Sequence, residues 1–225
     1  MAQGSLRDRR RADTVAEIKG AALGLLAAGG AEALTLRAVA REVGVTVQAL
    51  YHYFASRDAL ITELVTDAFT SLGDAVIEGG KTGRHRNECI VGAGLAYRNW
   101  ASSHRPEFLL ALGGPLPDYT ASKDGPTTAA AERMGMAFHH VVFDGWTHEQ
   151  MQAVPTPHGS AAPATGHKGL SPGALQLFVI GWASLHGFVM LEAHGHLTWA
   201  DESGEVICRG LLENYAETVE RARTR

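Results

Sequence analysis

Between Leu34 and Arg57 the chain reads LTLRAVAREVGVTVQALYHYFASR, two short apolar stripes on either side of a single glycine. Leu36, Val39, Ala40 and Val43 recur at the three- and four-residue spacing of one helix face. Thr35 stands where an N-cap oxygen is needed, and Gly44 where the chain must leave the helix. Beyond the glycine, Thr46 opens a second stripe of Val47, Leu50, Tyr51 and Phe54. The pattern predicts two short helices joined by a tight turn, with Leu50 and Phe54 turned inward.

The rest of the chain carries the same period. Asp13 or Thr14 is placed to cap a first helix bearing Val15, Ile18, Ala22, Leu25 and Leu26, stopped by Gly29-Gly30. Ser56 opens a long helix from Arg57 towards Glu78. Further helices are expected near 87–103, from Pro106, near 125–152, near 172–197 and near 201–222. Residues 113–119 read as a connecting loop, and residues 153–173, rich in Pro and Gly, as a long one. No run of strand alternation and no internal repeat interrupts this. The expected fold is all-α, with about nine helices.

The composition is 45% hydrophobic and 20% charged, that of a globular chain with a core. No apolar run of about 18 residues free of charge is expected, and so no membrane span, and residues 1–12 are too polar for a signal peptide. A cytoplasmic location is expected. Cys89 and Cys208, far apart, are expected as free buried thiols. Net charge is −4, but unevenly spread. Residues 1–60 hold eight Lys/Arg and six Asp/Glu, a net of +2, whereas residues 61–225 hold twelve and eighteen, a net of −6. A basic end on an acidic body suits a chain whose N-terminal end meets phosphate.

A short helix behind a glycine turn forms a helix-turn-helix when it can lie in the DNA major groove. Here Thr46, Val47, Gln48, Tyr51 and His52 remain outward. Gln48 can bond an adenine edge twice, and Val47 can meet a thymine methyl. Tyr51, Tyr53 and Arg57 can reach phosphates, while Arg7 to Arg11 can trail along the backbone or into a minor groove. Periodicity alone fits a plain helical hairpin as well. Leu34-Thr35, Arg37, Val39-Ala40, Gly44-Val45, Leu50-Tyr51, Phe54, Arg57 and Leu60 decide between the two, because together they resemble the TetR-family DNA-binding domain. That resemblance implies a DNA-binding domain over residues 1–57. It makes Thr35 and Arg37 contacts at the start of the second helix, Thr46 to Gln48 with Tyr51 the recognition face, and Tyr53 and Arg57 phosphate contacts. Arg57 stands where Lys is more usual, and apolar Val47 where a hydrogen-bonding side chain would read a base; readout then leans on Gln48, Arg37 and DNA shape.

The same resemblance implies a helical ligand-binding and dimerisation domain over residues 58–225. Trp182, His186 and Gly187 are similar to the Trp-His-Gly signature of one TetR C-terminal subtype. Trp182 and His186, four apart, share a helix face. With Gly187, Leu211 and Tyr215 they are dimer-interface candidates. A pocket wall is expected from Trp100, Phe108, Phe138, His139, Phe143, Trp146, Trp182 and His186. The eleven histidines show no ligand spacing, with His194 and His196 expected on different helix faces, so no metal and no cofactor is expected. No nucleophile elbow, phosphate loop or dinucleotide glycine pattern is present, which argues against an enzyme. The leading expectation is a homodimer that binds a double-stranded DNA operator and is released by a small apolar or amphipathic effector of unknown identity. The rival is a DNA-binding regulator controlled by a partner protein, or an activator, without an inducer. An open aromatic-lined cavity would favour the first and a filled one the second.

Overall fold

The computed structural model describes residues 6–114, 116, 118–156 and 169–224. Among these it is all-α: α1 (Leu6–Ala33), α2 (Leu36–Val43), α3 (Val47–Leu50), α4 (Arg57–Gly80), α5 (Arg86–Ser103), α6 (Arg105–Leu112), α7 (Pro126–Phe143), α8 (His148–Ala153), α9 (Pro172–Ala193) and α10 (Gly204–Arg223), with a 3₁₀ turn at Thr198–Ser203. Most of the loop expected over 153–173, and part of that over 113–119, lies outside the described residues.

Packing divides the chain into two compact units. The first takes the residues up to Thr70 together with His104–Ala131. Its short helices are fixed by side-chain caps. The Oγ1 of Thr35 accepts from Ala38 N–H, and that of Thr46 from Ala49 N–H, both at 3.1 Å; Ser56 Oγ accepts from Ala59 N–H at 3.0 Å. Gly44 ends α2 in the left-handed region (φ 77°), where a Cβ would cost about 1–2 kcal/mol. α3 is four residues long and cannot stand alone. It is held by Leu50 and Phe54, buried with Ile18, Ala22, Leu34 and Val39. Across the unit Lys19 bonds Glu63 and Asp67 of α4, each at 2.8 Å. Tyr119 hydroxyl lies 3.1 Å from Thr62 Oγ1, and Thr127 3.2 Å from Thr66.

The second unit takes Ser71–Ser103 and the chain from Glu132. α10 packs on α5, α8 and α9, and α5 on α9. Its core gathers Phe143, Trp146, Leu177, Ala216 and Val219. Arg98 meets Glu192 through both carboxylate oxygens, tying α5 to α9. Glycine permits two of these contacts: a Cβ on Gly94 would lie 2.3 Å from Leu212, and one on Gly181 2.2 Å from the Tyr215 ring.

Several boundaries differ from the sequence reading. α1 begins seven residues before Asp13, and Thr14 bonds the Arg10 carbonyl inside the helix instead of capping it. The expected stop is real as a kink: Gly30 leaves helical geometry (φ 68°) and helix resumes to Ala33. The helix expected over 125–152 is two, because Gly145 adopts φ 71° and Thr147 starts α8 with a capping box to Gln150. α9 ends at Ala193, so His194 and His196 lie past it and their rings stack at 6.0 Å rather than diverging. Both cysteines are free, but Cys89 is only half-buried. The expectation of no long uncharged apolar run also fails. Residues 169–191 carry no Asp, Glu, Lys or Arg, and α9 is long and apolar enough to cross a membrane. Its own packing gives another use for that composition: Ala174, Leu177, Leu185 and Val189 are buried in the helical unit.

Candidate functional site

The turn at Gly44 and the cap at Thr46 set how α3 is presented. With Leu50 and Phe54 inward, Gln48, Tyr51 and His52 are exposed, and Val47 is half-buried beside them. Arg37 is exposed on α2. The helix expected over 46–53 is shorter than its sequence suggests. After Leu50 the N–H groups of His52 and Tyr53 reach back three residues, to Ala49 and Leu50, making a tight turn that still carries Tyr51 and His52 outward. The face offers an amide, a phenol, an imidazole and a methyl-bearing side chain, the chemistry needed at base edges and phosphates.

Four of the expected contacts have structural work as well. The Thr35 and Thr46 oxygens each accept a cap bond, which leaves the O–H and one lone pair for outside partners. Arg57 is turned into the fold: its Nε donates to the Leu34 carbonyl at 2.8 Å and its Nη2 to that of Ala31 at 3.1 Å. The guanidinium thus ties the end of α1 to the start of α4. The Tyr53 ring is half-buried under the Arg11 guanidinium, 5.2 Å from its centre, which holds the basic end of α1 over the residues that follow α3.

The second unit holds an aromatic chamber. Trp182 stacks on His186 at 5.3 Å with planes 6° apart, and meets Phe138 and Tyr97 edge-on at 5.5 and 5.6 Å. Tyr97 hydroxyl and His186 Nδ1 share a hydrogen bond of 2.9 Å. Burial raises the Tyr97 pKa and lowers that of His186, so both favour their neutral forms. His139, Phe143, Trp146 and Phe178 form an adjoining aromatic group. The space between Phe138, Trp182, Leu185, Leu212 and Tyr215 is only about 30 Å³. It admits a water-sized body and no more.

The eight expected pocket residues are therefore not all together. Phe138 and Trp182 line this chamber, and His186 backs Trp182. His139, Phe143 and Trp146 stand beside it. Trp100 is buried and bonds Ser71 Oγ at 2.9 Å, and Phe108 belongs to the core of the first unit. Of the dimer-interface candidates, Trp182 and His186 take part in this cluster and are half-buried, and Tyr215 lines the chamber with its hydroxyl on the Leu177 carbonyl at 3.3 Å. Gly187 and Leu211 are half-buried, and open space lies over Gly187. Sequence reasoning missed a basic groove around Lys81, Arg84 and Arg86. The run KTGRHR at 81–86 was its visible signal. Among the described residues no group of acidic, His and Cys side chains could hold a metal ion.

Residues 18–64 match the tetR family of bacterial regulatory proteins, and residues 90–214 match the tetracyclin repressor-like C-terminal domain. That second description does not carry the Trp-His-Gly subtype. Among curated proteins, the HTH-type transcriptional regulator Rv1816 of Mycobacterium tuberculosis is 30% identical over 176 residues, 74% of each chain. The crystal structure of the regulatory protein SCO4313 is 29% identical, with a TM-score of 0.73, 94% of this chain and 98% of that one covered. The TetR-family regulator PfmR of Thermus thermophilus is 18% identical and shares the fold at a TM-score of 0.58, covering 89% and 97%. With its exposed helix-turn-helix face and both domain matches, the chain belongs to the TetR family of DNA-binding transcriptional regulators, and not to an enzyme family.

Proposed function

We propose that the protein is a cytoplasmic homodimeric repressor. Residues 1–57 read a near-palindromic operator, and residues 58–225 carry dimerisation and effector response. The observation that carries the reading is the polar face of Gln48, Tyr51 and His52, exposed over a fixed apolar underside. In a dimer two such faces enter successive major grooves about one turn apart, or a multiple of it. A dimer is supported by apolar surface that one chain leaves open: Val179, Ile180 and Leu191 on α9, and Val206 and Ile207 on α10. On α9 these share one face with Ala183, Ser184 and Gly187.

Release by an effector follows if a small molecule binds better to a state whose reading helices no longer fit the operator. α4 contributes residues to both units, which suits it as the link. The rival reading, control without an inducer, draws its support from the near-filled aromatic chamber. Footprinting on genomic DNA fragments, with sedimentation equilibrium of the free protein, tests the proposal. A two-fold symmetric footprint and a dimer are expected, and Gly187→Glu should give monomers. A monomer bound to a single asymmetric half-site would overturn it.

A further inference from the structure

Next to the nearly filled chamber the second unit has an open groove of about 700 Å³, within the size range of small-molecule sites. The end of α4, the connection at 81–85 and the first turn of α5 form one side, and α7 forms the other. Lys81, Arg84, Arg86 and Arg133 line it, against a single acid, Asp144. Lys81 pairs with Glu78 and Arg133 with Asp74, both solvent-exposed pairs that an incoming anion can replace at little cost. Arg84 has no side-chain ion pair among the described residues. Arg86 is fixed by the carbonyls of Val142 and Asp144, which orient the guanidinium without neutralising it. Its buried Nε has no acceptor among the described residues. At the start of α5 the Glu88 carboxylate already accepts the Arg84 backbone N–H at 2.7 Å, so the positive charge of the groove comes from its side chains.

Between these cations the lining is apolar, with Ile77, Met136, Ala137 and Val141. Val141 also lines the aromatic chamber, so the two spaces share that side chain in their walls. We propose that the groove binds an amphipathic anion, its small acidic head held by Lys81 and Arg84 and its apolar chain lying over Met136 and Val141 towards the chamber. This rests on the effector reading above and names the effector's chemical class.

Calorimetry on the full chain, with each ligand below its micelle concentration, tests it. Dodecanoate should bind at least about tenfold more tightly than dodecanol, and inorganic phosphate should not bind measurably. Lys81 and Arg84 are exposed, so Lys81→Gln/Arg84→Gln should melt like the parent, bind dodecanoate about tenfold more weakly and leave dodecanol unchanged. Cys89 lines the groove, and its alkylation by iodoacetamide should slow when dodecanoate is bound. Cys208, fully buried with its thiol pushed up to about 11, serves as the unreactive reference. Equal binding of dodecanol and dodecanoate, an unaffected double variant, or unprotected Cys89 would each overturn the assignment. Labelled operator separates the two readings. If dodecanoate fills the groove and the operator stays bound, the groove stands and induced release falls.

Discussion

The reading face and the aromatic chamber are built on opposite principles. The first is a local construction: two threonine caps, one left-handed glycine and two buried side chains turn a four-residue helix into a fixed polar surface. The chamber depends on residues far apart in sequence, with Tyr97, Phe138, Trp182 and Tyr215 arriving on four different helices. One is an exposed polar surface, and the other is a half-buried cluster with little free space.

All four tryptophans lie in the second unit, so the two regions can be followed separately. Tryptophan fluorescence follows that unit, while circular dichroism follows both. The largest effect is expected at Arg57. Removing a guanidinium that satisfies two carbonyls should cost about 2–3 kcal/mol. Arg57→Gln should therefore lower the helical signal before the fluorescence transition. A variant that unfolds like the parent and loses only salt-dependent DNA affinity would return Arg57 to the phosphates. Gly181→Ala is the converse case. Its Cβ would overlap the Tyr215 ring, and overpacking of this kind costs about 1–3 kcal/mol. The fluorescence transition should move to lower denaturant; an unchanged midpoint would show that α9 and α10 separate freely.

The smallest effect belongs to His186. Burial lowers its pKa from the usual 6.5, so the unfolded chain takes up the proton more readily than the folded one. Its contribution is fully present above pH 6.5 and is lost as pH falls through the lowered folded value. Melting temperature should fall between pH 7.5 and pH 5 in the parent, and less steeply in His186→Gln. Equal slopes would remove His186 from the acid response.

The two regions also differ in how far they could be read from sequence. Caps, turn and buried stripe between Thr35 and Phe54 are encoded within a few residues of where they act, and the structure has them there. The break between α7 and α8 was equally local, in Gly145 and the Thr147–Gln150 capping box, but a continuous apolar period hid it. By contrast, nothing near Phe108 says that it packs in the first unit, and nothing near Trp182 says which of two neighbouring surfaces it faces. Those are outcomes of long-range packing. Arg57 shows the same limit from the other side. Its position in the motif was visible, but its carbonyl partners lie 23 and 26 residues away.

In the proposed mode of action the exposed side of the segment after Gly44 reads DNA. Operator affinity of Gln48→Ala, measured against the parent at one salt concentration, tests it most directly. The variant should keep the parent's unfolding curve and bind its operator about tenfold more weakly, with little change on unrelated DNA. Unchanged operator affinity in a folded Gln48→Ala protein, and in Tyr51→Ala beside it, would mean that this face does not read DNA.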